Sequence, residues 1–144
     1  MNEISTAFPT ANSMVNAERY PIDAPESESG VALLNFCRQE FEAGGLCVLP
    51  GFIVPEALAA LADEANSVLD NAYFCDSTHN AYLTDSDPDL PLEDVTQRQE
   101  ATFVGSVAYD HLPANGLLKR LYLWDPLMNF IGSVLGKKPF FRFA

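Results

Sequence analysis

Basic residues are scarce in this chain. Eight lysines and arginines stand against 20 aspartates and glutamates, which gives a formal net charge of −12. Residues 1–97 hold 17 of the acidic residues and only two of the basic ones. An acidic surface of this kind repels nucleic acid phosphates and anionic lipid headgroups. We therefore expect neither nucleic acid nor a membrane as a partner; the charge favours solubility, and a site for a cationic ligand is the alternative.

Cysteines and long apolar runs are also few. The three cysteines, Cys37, Cys47 and Cys75, form no CxxC pair, and neither histidine lies at zinc-finger spacing from them. No apolar run reaches the ~18–20 residues that a membrane span needs, and the N-terminus lacks the pattern of a secretory leader. These absences predict a cytoplasmic protein with reduced thiols, in which Cys37 and Cys47 are small core residues.

Motifs that carry catalysis are missing as well. Gly44-Gly45 follows a predicted helix instead of a strand, which reverses the order of a dinucleotide-binding fingerprint, and no Gly-x-Ser-x-Gly elbow occurs. The two histidines, His79 and His111, are not followed by the carboxylate of a His-x-Asp or His-x-Glu iron motif. We therefore predict no catalytic residue and no metal site within this chain.

What the sequence does contain is the patterning of an α+β fold. Apolar residues at three- and four-residue spacing predict helices over residues 31–41, 55–71, 115–122 and 125–135. Short apolar or β-branched runs predict strands over residues 46–49, 101–109 and 139–144. Residues 1–17 show little periodicity and are expected to form a flexible tail, which leaves residues 18–144 as one domain.

A long polar segment is the candidate functional region. Residues 75–98 read as a loop rich in acids and prolines, and a loop of that length in a compact domain is usually functional. Arg98 can hold a carboxylate through two hydrogen bonds, or it can form an ion pair with a neighbouring acid such as Glu93 or Glu100. We expect this loop to border a substrate entrance, with these candidate substrate-binding residues: His79, Asn80, Tyr82 and Arg98.

Several phrases, taken in order, resemble one known family. Residues 20–25 read Tyr-Pro-Ile-Asp-Ala-Pro, and residues 45–52 read Gly-Leu-Cys-Val-Leu-Pro-Gly-Phe. His-Asn-Ala-Tyr-Leu-Thr follows at 79–84, Gly-Ser-Val-Ala-Tyr-Asp at 105–110, and Leu-Tyr-Leu-Trp-Asp-Pro-Leu at 121–127. Together these phrases resemble the N-terminal region of bacterial iron(II)/2-oxoglutarate-dependent oxygenases, in the phytanoyl-CoA dioxygenase-like superfamily and the branch of free-amino-acid halogenases and related hydroxylases.

The resemblance implies the N-terminal portion of a double-stranded β-helix, or jelly-roll, oxygenase that stops before the iron-binding barrel. It implies iron(II) and 2-oxoglutarate for the full-length protein, none of whose ligands falls in this chain, and a small amino-acid-like substrate that is hydroxylated or halogenated. The chain alone is then expected to be inactive and to associate with itself or with the missing barrel portion. The alternative is a stand-alone acidic α+β module that binds or assembles without catalysis.

Overall fold

The computed structural model describes residues 8–137, which divide into two compact units. Residues 8–68 and 109–137 form a helical unit, and residues 69–108 form a ribbon unit. The α+β class expected from the sequence is confirmed, since residues 8–137 contain four α-helices and one two-stranded antiparallel sheet. Within these residues the structure has no barrel, and the strand expected over residues 139–144 lies outside them.

The helices of the helical unit lie where the apolar spacing predicts them. They are α1 (Glu28–Gly44), α2 (Pro55–Ser67), α3 (Leu117–Tyr122) and α4 (Asp125–Leu135). Helix α1 begins earlier than predicted because the Ser27 side chain accepts a hydrogen bond from the Gly30 amide and caps it. It ends at Gly45, whose left-handed φ of 70° is the conformation that a glycine helix stop adopts without strain.

The first described residues belong to the core of the helical unit. Met14 has no solvent exposure and packs in one cluster with Ala11, Leu61 and Leu117. The Val54 amide donates to the Met14 carbonyl at 3.0 Å. The expectation of a flexible tail over residues 1–17 is therefore corrected for residues 8–17, because a methionine completes the apolar core there. Residues 1–7 lie outside the described part of the chain.

Residues 46–49 do not form the predicted strand. Leu46 and Val48 are 66% and 63% exposed, so the apolar run is not buried between two neighbours as a core strand would be. Pairing occurs a few residues later, where Ile53 forms an isolated antiparallel bridge with Val15. This apolar run therefore lies at the surface of the helical unit and does not form a strand.

The ribbon unit is built on strands β1 (Tyr73–His79) and β2 (Glu100–Ser106). They pair antiparallel in a register that sets Tyr73 opposite Ser106 and His79 opposite Glu100. Strand β2 matches the predicted strand but ends before Tyr109, whereas β1 replaces the polar loop that was expected from residue 75 onward. The expectation was wrong for residues 75–79, because β1 is an exposed strand of mostly polar residues whose pairing partner lies far along the chain. Residues 80–98 form the expected loop, which contains one short 3-10 helix.

Candidate functional site

All four candidate substrate-binding residues lie in the ribbon unit. His79 is the last residue of β1, and its Nε2 lies 3.5 Å from the Thr102 hydroxyl on β2. Tyr82 is 66% exposed in the turn that follows. Asn80, between them in sequence, is only 1% exposed. The predicted residues therefore share one region of the molecule but differ sharply in their access to a ligand.

Asn80 uses both ends of its side-chain amide within the chain. Its Nδ2 donates to the Thr84 hydroxyl at 2.8 Å and to the Thr96 carbonyl at 2.9 Å. Its Oδ1 accepts from the amides of Tyr82 at 2.9 Å and Thr84 at 3.1 Å. Both donors and two acceptor positions of the amide are thus occupied. The geometry gives Asn80 a structural role in shaping the turn that carries Tyr82.

The turn over residues 80–84 holds one residue in an unfavourable backbone conformation. Leu83 has a φ of 60°, which is uncommon for a residue other than glycine. The Leu83 amide donates to the Asn80 carbonyl at 2.9 Å, and the Asn80 amide donates to the Thr84 carbonyl at 3.2 Å. These bonds fix the conformation and leave the Leu83 side chain 77% exposed next to Tyr82.

A second polar contact supports the same turn from the other end of the loop. The Asp94 carboxylate accepts from the Thr96 amide at 2.9 Å and from the Thr96 hydroxyl at 2.7 Å, and it caps the short 3-10 helix Val95–Gln97. The Thr96 hydroxyl, followed by its amide, lowers the pKa of Asp94 below its usual value. Asp94 therefore orients Thr96, and the Thr96 carbonyl in turn receives the Asn80 amide.

Arg98 forms the ion pair that the sequence left open as an alternative. Its Nε lies 2.8 Å from Glu100 Oε1, and the two side chains are 82% and 65% exposed. Exposed pairs of this kind contribute about 0–1 kcal/mol to stability, because solvent screens both charges. The guanidinium therefore faces solvent with a carboxylate already beside it, and a role in substrate binding stays a prediction.

The described residues do not fit a mononuclear iron site. No group of three His, Cys, Asp or Glu side chains in residues 8–137 is close enough to hold a metal ion. His79 lies in the ribbon unit, and His111 is exposed at the end of the short 3-10 helix Tyr109–His111 in the helical unit. Within residues 8–137 the structure thus groups no set of side chains that matches a two-histidine, one-carboxylate iron site, and no reaction step is assigned to either histidine.

An apolar groove in the helical unit is the feature that sequence reasoning missed. It encloses about 430 Å³ between α1, the segment 45–52 and α4. Helices α1 and α4 are also joined by a hydrogen bond of 2.8 Å from Arg38 Nε to the Ser133 carbonyl. The residues that define its walls include Cys37, Phe41, Cys47, Phe52, Phe130 and Val134.

Two of the three cysteines meet in this groove. Cys37 is 1% exposed on α1, and Cys47 is partly exposed on the segment that follows. Burial, and then a hydrogen bond with the Cys47 thiol, raise the pKa of Cys37 to about 12. The apolar runs around both residues predicted core cysteines, which is confirmed for Cys37, but nothing in those runs indicated that the thiols would be neighbours.

Comparison with known proteins adds no family to this picture. No protein-family model matches the chain, and neither does any curated protein or solved structure. Within residues 8–137, no helix is both long and apolar enough to cross a membrane.

Proposed function

We propose that this chain is the N-terminal part of a non-haem iron(II)/2-oxoglutarate-dependent oxygenase, a hydroxylase or halogenase of small amino-acid-like substrates. The observation that best supports the proposal is that phrases resembling this family contact one another. The Tyr20 hydroxyl, from the first phrase, donates to the Pro50 carbonyl of the second at 2.8 Å. The rings of Tyr20 and Phe52 lie 6.0 Å apart.

A similar contact joins the last two phrases. The Tyr109 and Tyr122 rings lie 5.9 Å apart, and the Lys119 ammonium lies 4.2 Å from the centre of the Tyr109 ring. The phrase at 79–84 forms the turn organised by Asn80. The resembling residues are thus those that determine local structure, as expected of a pattern shared by proteins with a common fold.

In this proposal the chain supports the barrel of the full-length oxygenase and forms part of its substrate entrance. It contributes no ligand for iron(II) or 2-oxoglutarate. The ribbon unit offers apolar surface for such a role, because Phe103 and Tyr73 are 77% and 74% exposed. Single exposed apolar residues are ordinary, but a ribbon with several of them is typical of a surface that another protein portion covers. His79 and Tyr82, both near this ribbon's end, are the residues proposed to face substrate.

The decisive experiment uses the protein encoded by the complete reading frame that contains this chain. We expect succinate formation from 2-oxoglutarate that depends on iron(II) and on one of a panel of free amino acids. Tyr82→Ala should raise KM several-fold with little change in melting temperature, whereas Leu92→Ala, at a 90% exposed position on the same loop, should leave kinetics unchanged. A protein with no such turnover under any of these conditions excludes the proposal.

The stand-alone acidic module is retained as a second candidate because of one observation. Residues 69–108 carry eight acidic residues and a single basic one, Arg98, whose charge is already paired with Glu100. An acidic surface of this kind favours a basic partner. Light scattering and an apolar dye separate the two candidates: the oxygenase portion should associate and bind dye as the isolated 144-residue chain, whereas the module should be a dye-silent monomer.

A further inference from the structure

The groove in the helical unit contains a pair of thiols with unequal access to solvent. Cys37 lies on α1 and is almost completely buried, whereas Cys47 is partly exposed. Both side chains line the groove, and the Cys47 thiol is close enough to Cys37 to raise its pKa. Two cysteines that line one groove as neighbours are candidates for a disulfide, which joins side chains only a few ångströms apart.

We infer that Cys37 and Cys47 form a redox-active dithiol, which closes into an intramolecular disulfide when it reacts with a low-molecular-weight disulfide. The site needs no residue outside the helical unit. Its natural comparison within the chain is Cys75, which lies on β1 in the ribbon unit and has the Ser77 hydroxyl 3.3 Å from its sulfur. This inference is independent of the oxygenase proposal, because it concerns a different part of the chain and a different chemistry.

The reaction proceeds in two thiol–disulfide exchanges. The Cys47 thiolate attacks one sulfur of the external disulfide, whose S–S bond breaks and releases one small thiolate. Cys37 then gives its proton to solvent, and its thiolate attacks the Cys47 sulfur of the mixed disulfide. That bond breaks and releases the second small thiolate. Two protein thiols are thereby oxidised to one disulfide, and one external disulfide is reduced to two thiols.

The environment of Cys37 makes the second exchange the slow one. The pKa of Cys37 is raised to about 12 by burial first, and then by the neighbouring Cys47 and the Glu40 carboxylate on α1. The residues of α4 that line the groove are all apolar, so that helix places no charged side chain in the groove to offset these effects; the nearby cation is Arg38 on α1, whose Nε donates to the Ser133 carbonyl. The thiolate fraction of Cys37, and with it the rate of ring closure, should rise about tenfold per pH unit between neutral pH and the pKa.

The test uses the reduced 144-residue chain and oxidised glutathione at pH 7 and pH 9. Samples are quenched with acid, alkylated with N-ethylmaleimide and cleaved after Arg38 and after Glu56, which places the three cysteines in three different peptides. We expect a peptide pair linked through Cys37 and Cys47, with ring closure roughly 100-fold faster at the higher pH. In a urea-unfolded sample Cys37 is no longer buried, so its ordinary pKa of about 8.5 should make the rise of the closure rate between pH 7 and pH 9 shallower than in the folded chain.

Three variants complete the test. Cys75→Ser is the matched control and should leave the Cys37–Cys47 link unchanged. Cys37→Ser and Cys37→Ala should both stop at a mixed disulfide on Cys47. The inference is overturned if the folded wild-type chain accumulates that mixed disulfide without closing at either pH, or if links to Cys75 predominate. These outcomes are read from the wild-type chain and do not depend on how the variants fold.

Discussion

Met14 and Asn80 are both almost completely buried, but Met14 is surrounded by apolar side chains and Asn80 by hydrogen-bonding groups. Met14 packs among apolar side chains of the helical unit, whereas Asn80 is enclosed by four hydrogen bonds in the ribbon unit. Every buried hydrophobic residue within residues 8–137 belongs to the helical unit, and Asn80 is the ribbon unit's one buried residue. The hydrophobic effect does not depend on the orientation of the buried groups, whereas a buried amide needs a hydrogen-bond partner at a defined position for each of its donors and acceptors. One unit is thus specified by packing and the other by polar geometry.

The largest effect should come from emptying the apolar core. Met14→Ala removes a fully buried side chain and should cost about 2–5 kcal/mol of unfolding free energy through lost burial and the cavity that remains. Urea unfolding followed by the fluorescence of Trp124, the chain's one tryptophan and a neighbour of this core, measures the loss. Leu58→Ala, on the exposed face of α2, is the control and should change stability by less than about 0.5 kcal/mol. Equal losses in both variants would contradict a core at Met14.

A smaller and more local effect is expected in the ribbon unit. Asn80→Ala leaves the Tyr82 and Thr84 amides without their partner and should destabilise the turn by about 1–3 kcal/mol. Amide hydrogen exchange at these two residues should accelerate, while exchange in the helical unit stays unchanged. Asn66→Ala, which removes an exposed amide from α2, is the matched control. If Asn80→Ala accelerated exchange in both units alike, the contrast between them would not hold.

The smallest effect tests a polar contact inside the helical unit. The Glu64 carboxylate on α2 accepts from the Leu117 and Leu118 amides at 2.6 and 3.0 Å, and so caps α3. Glu64→Gln keeps an acceptor but removes the charge that favours a helix N-terminus, and should cost about 0.5–1 kcal/mol. The measurement is the same urea midpoint, with Asp63→Asn as a control at the adjacent exposed acid. A larger loss in Asp63→Asn would show that general charge, and not the cap, is responsible.

The helices were predictable because their signals are local. The apolar spacing of α1 and α4 lies within each helix, and Gly45 and Gly136 mark their ends with left-handed φ. The cap of α3 was not predictable, because the group that caps it is Glu64, which lies on another helix and far away in sequence. Gly116 leaves room for this carboxylate, since a Cβ there would lie 2.4 Å from Glu64 Oε1.

The strands and the candidate site were predicted less well because their partners are distant. Strand β1 lacks the alternation of a half-buried strand, and it is recognisable only through its pairing with β2. The sequence placed His79, Asn80, Tyr82 and Arg98 in one functional region, and they do share the ribbon unit. The sequence could not show that the side-chain amide donors of Asn80 are used by Thr84 and Thr96. Nor could it show that Cys37 and Cys47 line one groove.

The place of Leu117 in the core has a consequence for synthesis of the chain. Met14 and Leu61 leave the ribosome well before Leu117, and the whole of the ribbon unit is made in between. Until then, α2 lacks the Leu117 side chain that completes its apolar core and the amides that Glu64 binds. A ribosome that pauses within residues 69–108 therefore displays an unfinished helical unit with bare apolar surface, the kind of nascent chain to which chaperones bind.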